Sequence, residues 1–227
     1  MSFGTENETS PTFTTSSAIE VTNLSDLPDA LEILLHNNDV DVVVARNMAP
    51  NQSVCNTIHD VWDMPDKQEA HEIVYREVPV LDEVDQLAAH YWQEKGYTGY
   101  TLSPPHMQLG TVAIGGISAH TDFSASFVNP IYGPLSLSLM LKGAPAVYRL
   151  QKPPHNFQEA DLGWDIPAWK RWKSALAPQE LRSTVEQRVG DGVWMMGHPR
   201  QTIHAVDVID DRMRRAAIFD YVARRHR

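Results

Sequence analysis

The chain has 227 residues, 42% of them apolar and 21% charged, with a net charge of -10. That length supports one domain with a sizeable core, and the composition excludes a chain that is disordered or fibrous throughout. The acidic balance argues against a nucleic-acid backbone as partner, and the one cysteine, Cys55, allows neither an intrachain disulfide nor a thiolate metal cluster. No stretch approaches the roughly 18 to 20 apolar residues of a membrane helix, and no basic start leads into an apolar block. The expectation is a cytoplasmic protein without a membrane partner.

Residues 1–24 open with a Ser/Thr-rich stretch and read as a flexible arm, with a single domain over 25–227. Ser25 precedes Leu27, Ala30, Leu31, Leu34 and Leu35, a helical spacing with Ser25 as N-cap. Residues 40–45 are β-branched and read as a buried strand. A helix follows around Val54, Ile58 and Val61, with Cys55 as a packed thiol, and 72–80 is read as a strand. Residues 83–95 place Val84, Leu87, Ala88, Tyr91 and Trp92 on one helical face, with Gly96 just beyond.

The character changes near Met107. Residues 107–114 are strand-like, and Leu135, Leu137, Leu139 and Leu141 alternate with Ser136, Ser138 and Met140. Period two predicts a strand with one apolar and one more polar face. Residues 146–150 continue the strands. Residues 151–188 then read as a helical insertion, with helices at 168–176 and 179–189 separated by Pro178 and with Trp164, Trp169 and Trp172 along it. Strand signals return at 192–196, 202–208 and 213–222, which puts a barrel core at about 107–222. Helices first and short strands afterwards predict a mainly β domain with flanking helices.

The chemistry resides in His120, Asp122 and a distant His204. Residues i and i+2 of a strand face the same way, so His120 and Asp122 can share one cavity. His204 enters a different strand after the stretch that opens on Gly190-Asp191. Two imidazoles and one carboxylate on one face of a metal leave the opposite positions open, as non-haem iron(II) oxygenases require. Arg214 and Arg215 follow His204, and a guanidinium binds a carboxylate bidentately.

HTDFS at 120–124, the GD…H stretch at 190–204 and RRAAIF at 214–219 resemble the 2-oxoglutarate/iron(II) oxygenase superfamily. VDVVVARNM at 40–48 is also similar to the N-terminal part of such enzymes. The resemblance implies a double-stranded β-helix, a jelly-roll or cupin-like barrel with N-terminal helices. It implies iron(II) on His120, Asp122 and His204, with 2-oxoglutarate and dioxygen as cosubstrates. The far carboxylate of the keto acid would sit on Arg214 or Arg215, of which Arg214 fits the family spacing to Phe219 better. Succinate and carbon dioxide would be released while a small-molecule substrate is hydroxylated, desaturated or cyclised. The carboxylate ligand Asp122 sets the chain apart from related halogenases. Where many relatives carry Arg-x-Ser on the last strand, this chain has Arg214-Arg215-Ala216 and no hydroxyl.

Other residues have plainer readings. His198 and His106 fit turn and structural roles, and Trp194, Met195 and Met196 fit a core. Tyr148, Ser138 and Gln108 are candidates for contact with the cosubstrate. The alternatives are a cupin-like metalloenzyme that does not use 2-oxoglutarate, and a non-catalytic binding barrel. The first lacks the usual tight cluster of histidines and glutamate near His120; the second leaves three intact ligand positions without a purpose.

Overall fold

A computed structural model describes residues 17–61, 64–96, 100–112, 117–120, 131–151, 181–196, 203–208 and 214–225. Asp122, His198, the tryptophans at 164, 169 and 172, and the rest of 152–180 lie outside the described residues.

The N-terminal part builds four α-helices around two short strands. Helix α1 (Leu27–His36) buries Leu27, Ala30, Leu31, Leu34 and Leu35, an i, i+3, i+4, i+7 stripe. Its N-cap is Asp26, one residue later than the sequence suggests, because Asn23 caps a 3-10 turn over Leu24–Asp26 first. Helix α2 (Gln52–Asp60) starts where the Asn51 side chain accepts from the Val54 amide at 3.1 Å. Helix α4 (Val80–Glu94) presents Leu81, Val84, Ala88, Tyr91 and Trp92 inward.

Two sequence expectations fail here. Residues 72–80 are not a strand: they form the end of helix α3 (Lys67–Glu77) and the start of α4. Asp66 caps the Gln68 and Glu69 amides, and Ala70, Val74 and Tyr75 then fall on one buried helical face. The cap and the helical spacing override the β-forming bias of Ile73, Val74 and Tyr75. Nor does the arm extend to residue 24. Strand β1 (Ala18–Val21) pairs in parallel with β2 (Val42–Ala45), and Ala18, Ile19 and Val21 are buried.

The remaining strands are β3 (Tyr100–Val112), β4 (Ile117–His120), β5 (Ile131–Lys142), β6 (Ala146–Gln151), β7 (Leu181–Gln187), β8 (Gly192–Met196), β9 (Ile203–Val208) and β10 (Arg214–Arg225). They form a six-stranded sheet, β1-β2-β8-β5-β10-β3, and a four-stranded sheet, β4-β9-β6-β7. Strand β7 corrects the helical reading of 179–189, so the C-terminal end of the expected insertion belongs to the smaller sheet. Thr184 and Val185 favour a pleated backbone, and pairing along the whole of β6 outweighs the helical tendency of Glu186 and Gln187. The domain is therefore mainly β with flanking helices.

Alternation along the strands separates two cores. Leu135, Leu137, Leu139 and Leu141 of β5 join Ala217, Phe219 and Tyr221 of β10 and the buried faces of the helices. Each fully buried leucine contributes roughly 1.5–3 kcal/mol relative to exposure. Val42, Val44, Val193 and Met195 of the larger sheet pack against Ala146, Tyr148, Leu150, Val185 and Val206 of the smaller one. The two sheets thus face each other across an inner core, and the helices cover the outer face of the larger sheet. Among the described residues, no helix is long and apolar enough to cross a membrane.

Candidate functional site

The inner face carries polar groups where a purely structural sandwich would carry apolar ones. Strand β9 pairs antiparallel with β4 and β6 together. In that register His120 stands directly opposite His204, and His204 directly opposite Leu150. Directly opposed positions of an antiparallel pair share one face of the sheet and are near neighbours. His204 is 3% exposed, and its ring lies 5.7 Å from that of Tyr148, tilted by 32°. Three residues further along β9, Asp207 pairs with Arg149 at 2.6 Å on the exposed side. Strand periodicity thus sends His204 inward and the surface ion pair outward.

Arg214 and Arg215 separate in the same way. Arg215 points to the helix side, where its Nη1 donates to His59 Nε2 at 2.6 Å. Arg214 points to the inner side and is 2% exposed. Its Nη2 reaches Ser138 Oγ at 3.0 Å, the Tyr148 hydroxyl at 2.7 Å and Gln187 Oε1 at 2.5 Å. The Tyr148 hydroxyl in turn donates to Ser138 Oγ at 2.8 Å. All these partners are neutral, and among the described residues no carboxylate pairs with Arg214. Its Nε is buried and has no hydrogen-bond partner there. A buried cation without an anion is costly. The arrangement favours any small anion that reaches it.

Tyr148 joins the two halves of the site. Its ring touches His204 on one side, and the Arg214 Cζ lies 5.6 Å from the same ring centre. The His204 imidazole and the Arg214 guanidinium are therefore within about 11 Å of each other, the sum of those two separations. A short dicarboxylate spans such a gap.

The Gly190-Asp191 turn braces this arrangement from below. Asp191 accepts from Arg46 Nη1 at 2.6 Å, from the Arg188 amide at 3.0 Å and from the Asn47 amide at 3.1 Å. Arg46 also pairs with Glu20 at 2.9 Å, and that hydrogen bond holds the Glu20 carboxyl below the ordinary carboxylate range. These groups line an open cavity of about 410 Å³ with Thr22, Asn47, Arg188 and Val189. Its arginines and carboxylates pair largely with one another, which marks it as a structural joint rather than the site.

Tyr148 and Ser138, both sequence candidates, thus contact Arg214. Gln187 was hidden within the expected helix. The signal that would have found it is alternation: Val185 and Gln187 are inward and buried, Thr184 and Arg188 exposed. Position 108 stands opposite Ile218 in the β3–β10 register, and position 106 opposite Asp220. Asp122 follows β4 by two residues and lies outside the described residues.

No protein-family model matches the chain, and no curated protein matches its sequence. Among solved structures, the non-haem alpha ketoglutarate dependent epimerase SnoN from nogalamycin biosynthesis aligns with a TM-score of 0.52. The alignment covers 88% of this chain and 87% of SnoN, at 16% identity. This chain shares the fold of SnoN. SnoN has also been solved with Fe3+, alpha ketoglutarate and nogalamycin RO. A Pseudomonas putida prolyl-4-hydroxylase aligns over 97% of this chain and 100% of that one at 14% identity, with a TM-score of 0.44. The carbocyclase SnoK, also alpha ketoglutarate dependent, reaches 0.39 at 16% identity over 66% of this chain and 61% of its own.

Proposed function

We propose that this protein is a non-haem iron(II), 2-oxoglutarate-dependent oxygenase built on a double-stranded β-helix. His120, Asp122 and His204 hold the iron, and Arg214 holds the far carboxylate of the keto acid. The observation that carries this reading is Arg214: a buried guanidinium without a carboxylate partner among the described residues, linked by one tyrosine to a buried histidine. The register of His120 opposite His204 supports the metal pair. The donor set suits iron(II), since two imidazoles and a carboxylate leave coordination positions open for a cosubstrate and dioxygen.

When bound, iron and 2-oxoglutarate supply the oxidising chemistry, with succinate and carbon dioxide as co-products. The protein's own groups orient and shelter it. Tyr148, Ser138 and Gln187 set the direction of Arg214, which fixes one end of the keto acid. Leu150, Val185 and Val206 set buried apolar surface beside these polar groups, which strengthens the charge pairing at Arg214. The substrate is a small molecule, and the outcome is hydroxylation, desaturation or cyclisation. Purified protein with iron(II) is expected to release succinate from 2-oxoglutarate. The absence of both keto-acid binding and metal-dependent turnover would leave a non-catalytic barrel, and metal-dependent turnover without 2-oxoglutarate would point to a cupin-like enzyme.

A further inference from the structure

We infer that Gln187 is a positioning residue for the keto acid, acting through Arg214; this rests on the reading of Arg214 as the carboxylate anchor. Gln187 is fully buried at the end of β7, opposite Ala146. Its Nε2 donates to the Ser138 carbonyl at 2.5 Å and to the Asp191 carbonyl at 2.9 Å. An amide nitrogen has two hydrogens, and here two backbone carbonyls take them. The reversed amide would set its oxygen against both carbonyl oxygens, so the orientation is determined by the surrounding backbone. Oε1 must then face Arg214.

The consequence falls on the guanidinium. Nη2 has two hydrogens and three acceptors within reach: Gln187 Oε1, the Tyr148 hydroxyl and Ser138 Oγ. Every hydrogen bond that Arg214 makes among the described residues runs through that one nitrogen, while Nε is buried without a partner there. One end of the fork is thus clamped from β5, β6 and β7, and the rest of it is kept for an anion. Ala216, two residues after Arg214, brings no hydroxyl from β10 itself. Orientation of the anchor therefore falls to the adjacent strand β5 and the facing strands β6 and β7, with Gln187 as the member whose own direction is fixed by backbone alone.

The test uses the full-length protein loaded with manganese(II) and titrated calorimetrically with two keto acids. 2-Oxoglutarate has the far carboxylate; 2-oxobutanoate keeps the chelating end and lacks it. Gln187→Met removes all three hydrogen bonds at nearly constant volume. Gln187→Glu keeps the size and sets a competing carboxylate beside Arg214, and it stands in if the methionine variant does not fold. Both variants are expected to bind 2-oxoglutarate at least about tenfold more weakly, the scale of one lost charge-assisted hydrogen bond. Manganese stoichiometry and 2-oxobutanoate affinity stay unchanged. Folded variants that bind 2-oxoglutarate as the wild type does would overturn the inference, and so would an equal loss for both keto acids. A wild-type protein that does not prefer 2-oxoglutarate over 2-oxobutanoate would instead overturn the anchor reading itself, and this inference with it.

Discussion

His120 and His204 stand directly opposite one another on adjacent antiparallel strands, although most of the barrel separates them in sequence. A register slip of one residue would break that pairing. The pairing of β9 with both β4 and β6 holds that register, and the inward side chains of β6 continue the same face to Tyr148 and from there to Arg214.

Arg214 and Arg215 are adjacent and chemically identical, yet their roles are expected to differ completely. With manganese(II) and 2-oxoglutarate at about 100 times the dissociation constant, the wild type gains about 2.7 kcal/mol, or about 5–10 °C in melting temperature. Arg215→Ala, which among the described residues removes the contact to His59, is expected to keep that ligand-induced shift. Arg214→Met is expected to lose it. Thermal melts with and without the keto acid check both, and equal shifts in the two variants would contradict the assignment.

Gly190 is expected to tolerate no side chain. Its φ is +89°, and a Cβ there would lie 2.5 Å from the carbonyl oxygen of Ala49. The same glycine accepts from the Ala49 amide and donates to the Met140 carbonyl, so its backbone has nowhere to shift. Gly190→Ala should lower stability by about 2 kcal/mol or more, measured by urea unfolding. Because Asp191 follows it and supports Gln187, the variant should also weaken keto-acid binding.

The sequence made part of this visible. The period-two leucines of β5 predicted a strand with its polar residues on one face, and Ser138 of that face does contact Arg214. Gly190-Asp191 announced a turn before β8. The segment 181–187 was opaque because Ser183, Glu186 and Gln187 occur in helices as readily as in strands; only the partner strand β6 decides between them. Ile73, Val74 and Tyr75 misled in the other direction, since the side-chain cap at Asp66, seven residues or more upstream, sets the local conformation. The candidate ligands were legible through residue type and spacing alone. The clamp on Arg214 was not, because it depends on which of two faces each strand presents.

Asp85 provides a pH-dependent signature on the helix side. It accepts from the hydroxyls of Tyr75 at 2.7 Å and Tyr221 at 2.5 Å. Burial raises its carboxyl above the ordinary 3.8, and the two hydroxyls, with nearby His71, offset this only in part. A carboxyl whose folded-state pKa is raised holds its proton more tightly in the folded chain. Its contribution to stability is present at low pH and is lost as pH rises through the folded-state value. Asp85→Asn is therefore expected to gain stability relative to the wild type as pH rises from about 4, the ordinary aspartate range, toward neutrality. Denaturant midpoints across that range check this; parallel curves for the two proteins would contradict it.

The most direct test of the iron-site reading is metal stoichiometry by equilibrium dialysis, measured on the wild type and on His120→Ala, Asp122→Ala and His204→Ala. The expected result is one iron(II) or manganese(II) per wild-type chain, with binding weakened by at least about 10- to 100-fold in each variant and melting temperatures of the metal-free proteins close to that of the wild type. A wild-type chain that binds no divalent metal, or a His204→Ala protein that binds it as tightly as the wild type, would contradict the account.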